Sequence, residues 1–167
     1  ELNGHGEGYT DIENTILSRY SRDLKDTDDM TADFLGELSK INKNITVVFY
    51  GDHLPGLYPE KTFTDAPESK YETDYFIWSN FETEKLNYPV ITSSNFPALL
   101  LKETNSKVSP YYALLTDVLD ESVLTNEKLT KKQEEIKKDL QIVQYDITLG
   151  KGYLTKKHRS FFELDGE

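Results

Sequence analysis

Apolar side chains recur at helical spacing early in the chain, at Ile16, Leu17, Tyr20, Leu24, Phe34, Leu35, Leu38 and Ile41. Thr10 stands before this stripe with Glu13 three residues on, the pattern of a capping box. The spacing predicts one long helix over Asp11–Ser39, with a possible kink where Asp28 and Asp29 interrupt the stripe near Met30. Asn42-Lys-Asn44 reads as a turn. The period then changes. Ile45–Tyr50 is a short, β-branched, apolar run, and Thr73–Ser79 is a second one; both read as buried strands. Between them, Pro55, Gly56, Pro59 and Pro67 mark a loop. Tyr88–Thr92 reads as a short third strand.

The second half reads as helical. Ser94 or Asn95 caps a helix to about Glu103, and Ser109-Pro110 opens another to about Asp120. Thr130 with Gln133 is a second capping box, ahead of Ile136, Leu140, Val143 and Ile147. Gly150 or Gly152 stops that helix. The segment from Lys156 to Glu167 is charged and is expected to fray, with Phe161 and Phe162 as candidates for docking. Helix, strand, crossover and strand form an α/β pattern in which parallel pairing is expected. In such sheets ligands sit beyond the carboxyl ends of the strands.

The place beyond the first strand is taken by Gly51, Asp52 and His53. A carboxylate oxygen and an imidazole nitrogen are common ligands of a divalent metal. Neighbouring side chains of an extended strand point to opposite faces. For both to reach one ion, the backbone must leave β geometry after Gly51. Two ligands are fewer than the three or four a site needs. The alternative is structural: Asp52 caps a turn and His53 makes a local hydrogen bond. His5, in a Gly-rich entry segment, and His158, among Lys156, Lys157 and Arg159, read as solvated. Trp78 continues an apolar strand and reads as core rather than as a stacking platform. No nucleophile elbow, phosphate loop or dinucleotide fingerprint is present.

Charge and composition narrow the classes. The 167 residues suit one domain, and a domain of this size buries roughly 70% of its unfolded surface. The net charge of −11 argues against nucleic acid as a partner and against docking on anionic lipid. The absence of cysteine excludes disulfides, thiolate nucleophiles and cysteine-ligated metals. The apolar runs fall far short of the about 20 residues that cross a bilayer, so the chain is expected to be soluble, and no signal peptide is seen. A start at Glu1 rather than Met leads to the expectation of a processed piece of a longer protein.

Val47-Val-Phe-Tyr-Gly-Asp-His-Leu-Pro-Gly-Leu-Tyr58 and Tyr71-Glu-Thr-Asp-Tyr-Phe-Ile-Trp-Ser-Asn80 resemble the C-terminal half of a lipoteichoic acid synthase-like phosphoglycerol transferase, in the sulfatase and alkaline phosphatase superfamily. The Tyr20–Asp29 helix segment and Gln144–Tyr153 fit the same pattern. The resemblance implies part of an alkaline phosphatase-like three-layer αβα sandwich with a mostly parallel sheet. Residues 1–155 would be the C-terminal portion of the catalytic domain and 156–167 a charged tail. It implies a membrane-anchored parent of Gram-positive bacteria, with its catalytic domain on the extracellular face. Such an enzyme takes phosphoglycerol from phosphatidylglycerol through a metal-activated threonine and passes it to a cell-wall glycolipid or polymer, by way of a phosphoryl-threonine. Asp52 and His53 match two of its metal ligands. The metal would be manganese, with magnesium, calcium or zinc as alternatives. No segment matches the family's nucleophile, so no catalytic residue is expected in this chain, and the remainder of the catalytic domain is its expected partner. Two other readings stand beside this one: a non-catalytic cell-wall interaction domain with a degenerate site, and a sulfatase- or phosphatase-type hydrolase of the same superfamily.

Overall fold

In the computed structural model, which describes residues 3–164, the long N-terminal stripe forms a single helix, α1 (Asp11–Ser39). Its start is fixed as the sequence predicts. Thr10 Oγ1 accepts from the Glu13 N–H at 3.3 Å, and Glu13 returns Oε2 to the Thr10 N–H at 2.7 Å. The helix runs unbroken through Asp28 and Asp29, where Lys25 pairs with Asp29 one turn on at 2.5 Å. At its far end a residue from much later in the chain ties down the turn that leads to the first strand. The Asn80 side-chain amide donates to the carbonyls of Leu38, Ile41 and Lys43, at 3.3, 3.2 and 2.8 Å. Its Oδ1 accepts the Ile45 N–H at 2.9 Å, where the first strand begins.

The two strands, β1 (Thr46–Tyr50) and β2 (Tyr75–Ser79), pair antiparallel, with Thr46 opposite Ser79 and Tyr50 opposite Tyr75. The expectation of parallel pairing is corrected here. A parallel return needs a crossover, usually a helix, and the connection holds only two 3₁₀ turns, Glu60–Phe63 and Pro67–Tyr71. Phe49 and Phe76 stack across the pair with centroids 5.1 Å apart, and the Thr46 and Ser79 hydroxyls meet at 2.8 Å. Residues Tyr88–Thr92 form no strand. Pro89 removes a ladder donor, and the Tyr88 hydroxyl instead donates to Asp120 at 2.6 Å.

The rest is helical: α2 (Phe96–Glu103), α3 (Pro110–Asp120), α4 (Lys131–Thr148) and the short α5 (Tyr153–Lys157). The expected fraying of the tail is corrected for residues 156–164, and residues 165–167 lie outside the described residues. A 3₁₀ turn at Arg159–Phe161 follows α5, and Phe161 and Phe162 lie against Tyr111 at 6.3 and 5.4 Å. Asp146 sets the start of α5. Its two carboxylate oxygens accept the N–H groups of Tyr153 and Leu154 at 2.9 and 2.8 Å.

The chain divides into two compact units, Glu1–Phe81 and Glu82–Glu167. They differ in kind. Every buried residue among those described belongs to the second unit, where Val118, Val123 and Leu140 pack with Leu115 and Ile136. The first unit buries none, and it leaves Ile16, Phe34, Phe49 and Phe76 exposed. A two-stranded sheet with one helix and no core is marginal by itself. Among the described residues no helix is long and apolar enough to cross a membrane.

Two outcomes follow from this packing. In native-state hydrogen exchange on this chain, the slowest amides should lie in α3 and α4; equal protection in β1 and β2 would contradict the contrast between the units. Asp146 is held below the usual carboxylate range, first by the Leu154 N–H and then by that of Tyr153. A lowered acid stabilises fully above its ordinary value and loses that effect as pH falls through the lowered one. The protection of the Tyr153 and Leu154 amides, taken against the intrinsic exchange rate at each pH, should therefore fall only as pH drops below the ordinary carboxylate range. In Asp146→Asn that acid transition should vanish; its persistence would locate it in another group.

Candidate metal-binding turn

Strand β1 ends at Gly51 because the pairing ends there. The Gly51 N–H donates to the Asp74 carbonyl at 3.1 Å, and its own carbonyl accepts the Thr73 hydroxyl at 2.6 Å. A Cβ on residue 51 would lie 2.9 Å from the Thr73 Cβ, closer than such atoms approach, so glycine is required by contact. Thr73 thus helps to form the turn, a role not read from the sequence. Its only signal there is a hydroxyl one residue before the second strand's first partner of the turn.

Beyond Gly51 the backbone bends at both Asp52 and His53, as two ligands on one side require. Asp52 Oδ1 accepts the His53 N–H at 2.9 Å. His53 Nδ1 lies 3.0 Å from the Leu54 carbonyl oxygen. A carbonyl only accepts, so Nδ1 carries a proton, and Nε2 is the ring nitrogen left to ligate. The local hydrogen bonds of the structural alternative are therefore present, and they leave one oxygen and one nitrogen over. Asp52 Oδ2 and His53 Nε2 stand 3.6 Å apart on side chains 82% and 77% exposed.

That separation fits two ligands of one ion. With metal–ligand bonds of about 2.1 Å and bond angles of about 90–120°, neighbouring donors lie about 3.0–3.6 Å apart. Nδ1 bonded to a carbonyl is also the usual outer-shell arrangement of a ligating histidine. The set is incomplete, however. Among the described residues no three His, Cys, Asp or Glu side chains come together as a metal site. His5 and His158 are both exposed, and neither is brought into such a group. Trp78 is half-buried in β2, consistent with a packing role.

The loop after His53 is fastened to the start of α1. Tyr9 and Thr62 share a hydroxyl hydrogen bond, and Lys61 Nζ donates to the Gly8 carbonyl at 2.8 Å and to Glu13 at 3.0 Å. The Thr10 N–H, and next Lys61, hold the Glu13 carboxyl below its ordinary range. Burial pushes the Tyr58 hydroxyl up, so it stays neutral. These links come from residues about fifty positions apart, and sequence spacing gives no sign of them.

A family model matches the region that holds the turn, and a solved structure shares the fold. The family model described as Sulfatase matches residues 3–106, which include Gly51, Asp52 and His53. The structure of the Streptococcus pyogenes phosphoglycerol transferase GacH in complex with sn-glycerol-1-phosphate matches at a TM-score of 0.90 and 52% identity, over 96% of this chain and 42% of that one. A Rhizobium meliloti (strain 1021) protein named for cyclic beta-1,2-glucan modification is 24% identical over 91% of this chain and 28% of its own length. The chain thus spans less than half of either relative. The matched region covers the strands, the Gly-Asp-His turn and the helix before them, and on that ground the chain belongs to the sulfatase family.

Proposed function

We propose that this chain is part of the catalytic domain of an extracellular, membrane-anchored, metal-dependent phosphoglycerol transferase of a Gram-positive bacterium, and that Asp52 and His53 are two of its metal ligands. The observation that carries this reading is the 52% identity to a phosphoglycerol transferase over 96% of the chain. The glycerol phosphate bound in that relative supports a phosphoglycerol group as the unit transferred, from phosphatidylglycerol to a cell-wall glycolipid or polymer. The carbohydrate named for the second relative supports a sugar polymer as acceptor.

The division of labour is physical. Asp52 supplies charge and His53 a neutral nitrogen lone pair, both aimed to one side of the turn. A divalent ion there, manganese in this reading, would polarise a phosphoryl oxygen and favour the anionic form of a threonine. The threonine and the remaining ligands belong to the rest of the parent. So does the cover over the first unit, whose exposed Phe34, Phe49 and Phe76 have no core of their own. In the parent, β1 and β2 would join the larger, mostly parallel sheet of a three-layer sandwich. Residues 1–155 would belong to that domain, and 156–167 would be its charged end.

The test is turnover of phosphatidylglycerol by the full-length parent, read as released diacylglycerol. Asp52→Asn and His53→Ala should each cost more than the roughly 10–100-fold typical of outer-shell changes, with folding unchanged. Chelation should abolish turnover and manganese should restore it. Near-normal turnover in either variant would refute the ligand assignment. Gly51→Ala should also lower turnover, because the new methyl group displaces the turn from Thr73. An unchanged rate would show that the turn's position does not matter.

A further inference from the structure

In the second unit, α3, α4 and α5 enclose an open groove of about 860 Å³. Its lining is mainly apolar and aromatic: Leu114, Ile142, Leu149, Tyr153, Leu154 and Phe161. Several of these side chains face solvent. Leu149 is 80% exposed, Ile142 55% and Tyr153 50%. A rim of exposed aliphatic and aromatic side chains is costly in water, and the helices that carry it show no covering element among the described residues.

The charge around this groove runs against the chain as a whole. Thirty acidic residues outnumber nineteen basic ones overall. Yet no Asp or Glu occurs from Ile147 to Phe162, while Lys151, Lys156, Lys157 and Arg159 all do. Three of these cations are tied to the groove. Lys151 lines it. Lys156 Nζ donates to the Lys151 carbonyl at 2.7 Å. Lys157 Nζ sits 5.4 Å over the Tyr153 ring. Arg159 opens the turn that places Phe161 in the groove, and pairs with exposed Glu163 at 3.6 Å. Of the two carboxylates in the lining, Asp146 is engaged by the N–H groups of Tyr153 and Leu154. Asp139 lies two turns earlier on α4.

We propose that this face docks on an anionic phospholipid surface. Leu149 and Tyr153 would enter the headgroup and acyl boundary, with the four cations at the level of the phosphates. Lysines beside exposed aromatic and aliphatic side chains match an interfacial lipid site. They match a protein partner poorly, because the cores of protein interfaces are depleted in lysine. The net charge of −11 does not oppose this. Fields in physiological salt fade within about 8 Å, so the membrane meets the local patch and not the sum. The inference does not rest on the proposed transferase activity.

The test is flotation of the 167-residue chain with vesicles. One set mixes phosphatidylglycerol equally with phosphatidylcholine, a second uses phosphatidylserine as the anionic lipid, and a third is phosphatidylcholine alone. The chain should bind both anionic sets alike, ignore the neutral set, and release as salt rises. Joint replacement of Lys151, Lys156, Lys157 and Arg159 by glutamine should weaken binding by about tenfold or more, with the helical signal unchanged. Because the chain has no cysteine, Leu149→Cys carries a single polarity-sensitive dye. Its emission should shift to the blue on anionic vesicles only. Four results would each overturn the proposal: no binding, equal binding to neutral vesicles, full binding by the glutamine variant, or a dye that does not shift. Binding to phosphatidylglycerol but not phosphatidylserine would assign the interaction to a headgroup site elsewhere and overturn it as well. In the full-length parent carrying Leu149→Cys, failure of the introduced thiol to react before vesicles are added would show the face covered by protein, with the same consequence.

Discussion

The structure around the candidate metal-binding turn depends on how the antiparallel pair ends at Gly51. Both backbone groups of that glycine are held by the entry to β2, through the Asp74 carbonyl and the Thr73 hydroxyl. The approach is so close that no side chain fits. The strand can therefore neither continue nor slip, and the chain must bend at once. That bend turns two consecutive side chains, which a strand would send to opposite faces, toward one side at 3.6 Å. The hydrogen bond from His53 Nδ1 to Leu54 fixes which nitrogen is presented. Position and chemistry of the donor pair thus follow from one constrained backbone unit.

The same sheet is anchored at its other end by Asn80, whose side chain both ties down the turn after α1 and receives the start of β1. These are polar ties, and they are what the first unit has in place of a core. The second unit is built in the ordinary way, on buried Val118, Val123 and Leu140. One chain therefore joins a helical unit with a buried core to a unit whose exposed apolar side chains lack one and would need covering. A chain that spans 42% of its structural relative is consistent with that need.

Much of this was legible in the sequence where the signals are local. Both capping boxes, the bounds of α1 and the proline start of α3 follow from side chains within a turn of one another. The Gly-Asp-His turn was legible because glycine marks an abrupt strand end. What was not legible is long-range. The strand direction depends on the connection, which carries only 3₁₀ turns. The roles of Thr73 and Asn80 depend on partners more than twenty positions away. The tail looked too charged to order, yet Phe161 and Phe162 bind its described part to Tyr111, after a helix α5 whose start Asp146 caps. Net charge says little about any one face, since a sum hides the acid-free stretch Ile147–Phe162 of the second unit.

The central claim is that Asp52 and His53 form one part of a metal site completed by the rest of the parent. Electron paramagnetic resonance of manganese tests it directly. The full-length parent should bind the ion with a resolved coupling to an imidazole nitrogen, and His53→Ala should remove that coupling. This chain alone should leave the ion in its hydrated form. A nitrogen-coupled signal that survives His53→Ala in the parent, or tight binding by this chain alone, would contradict the account.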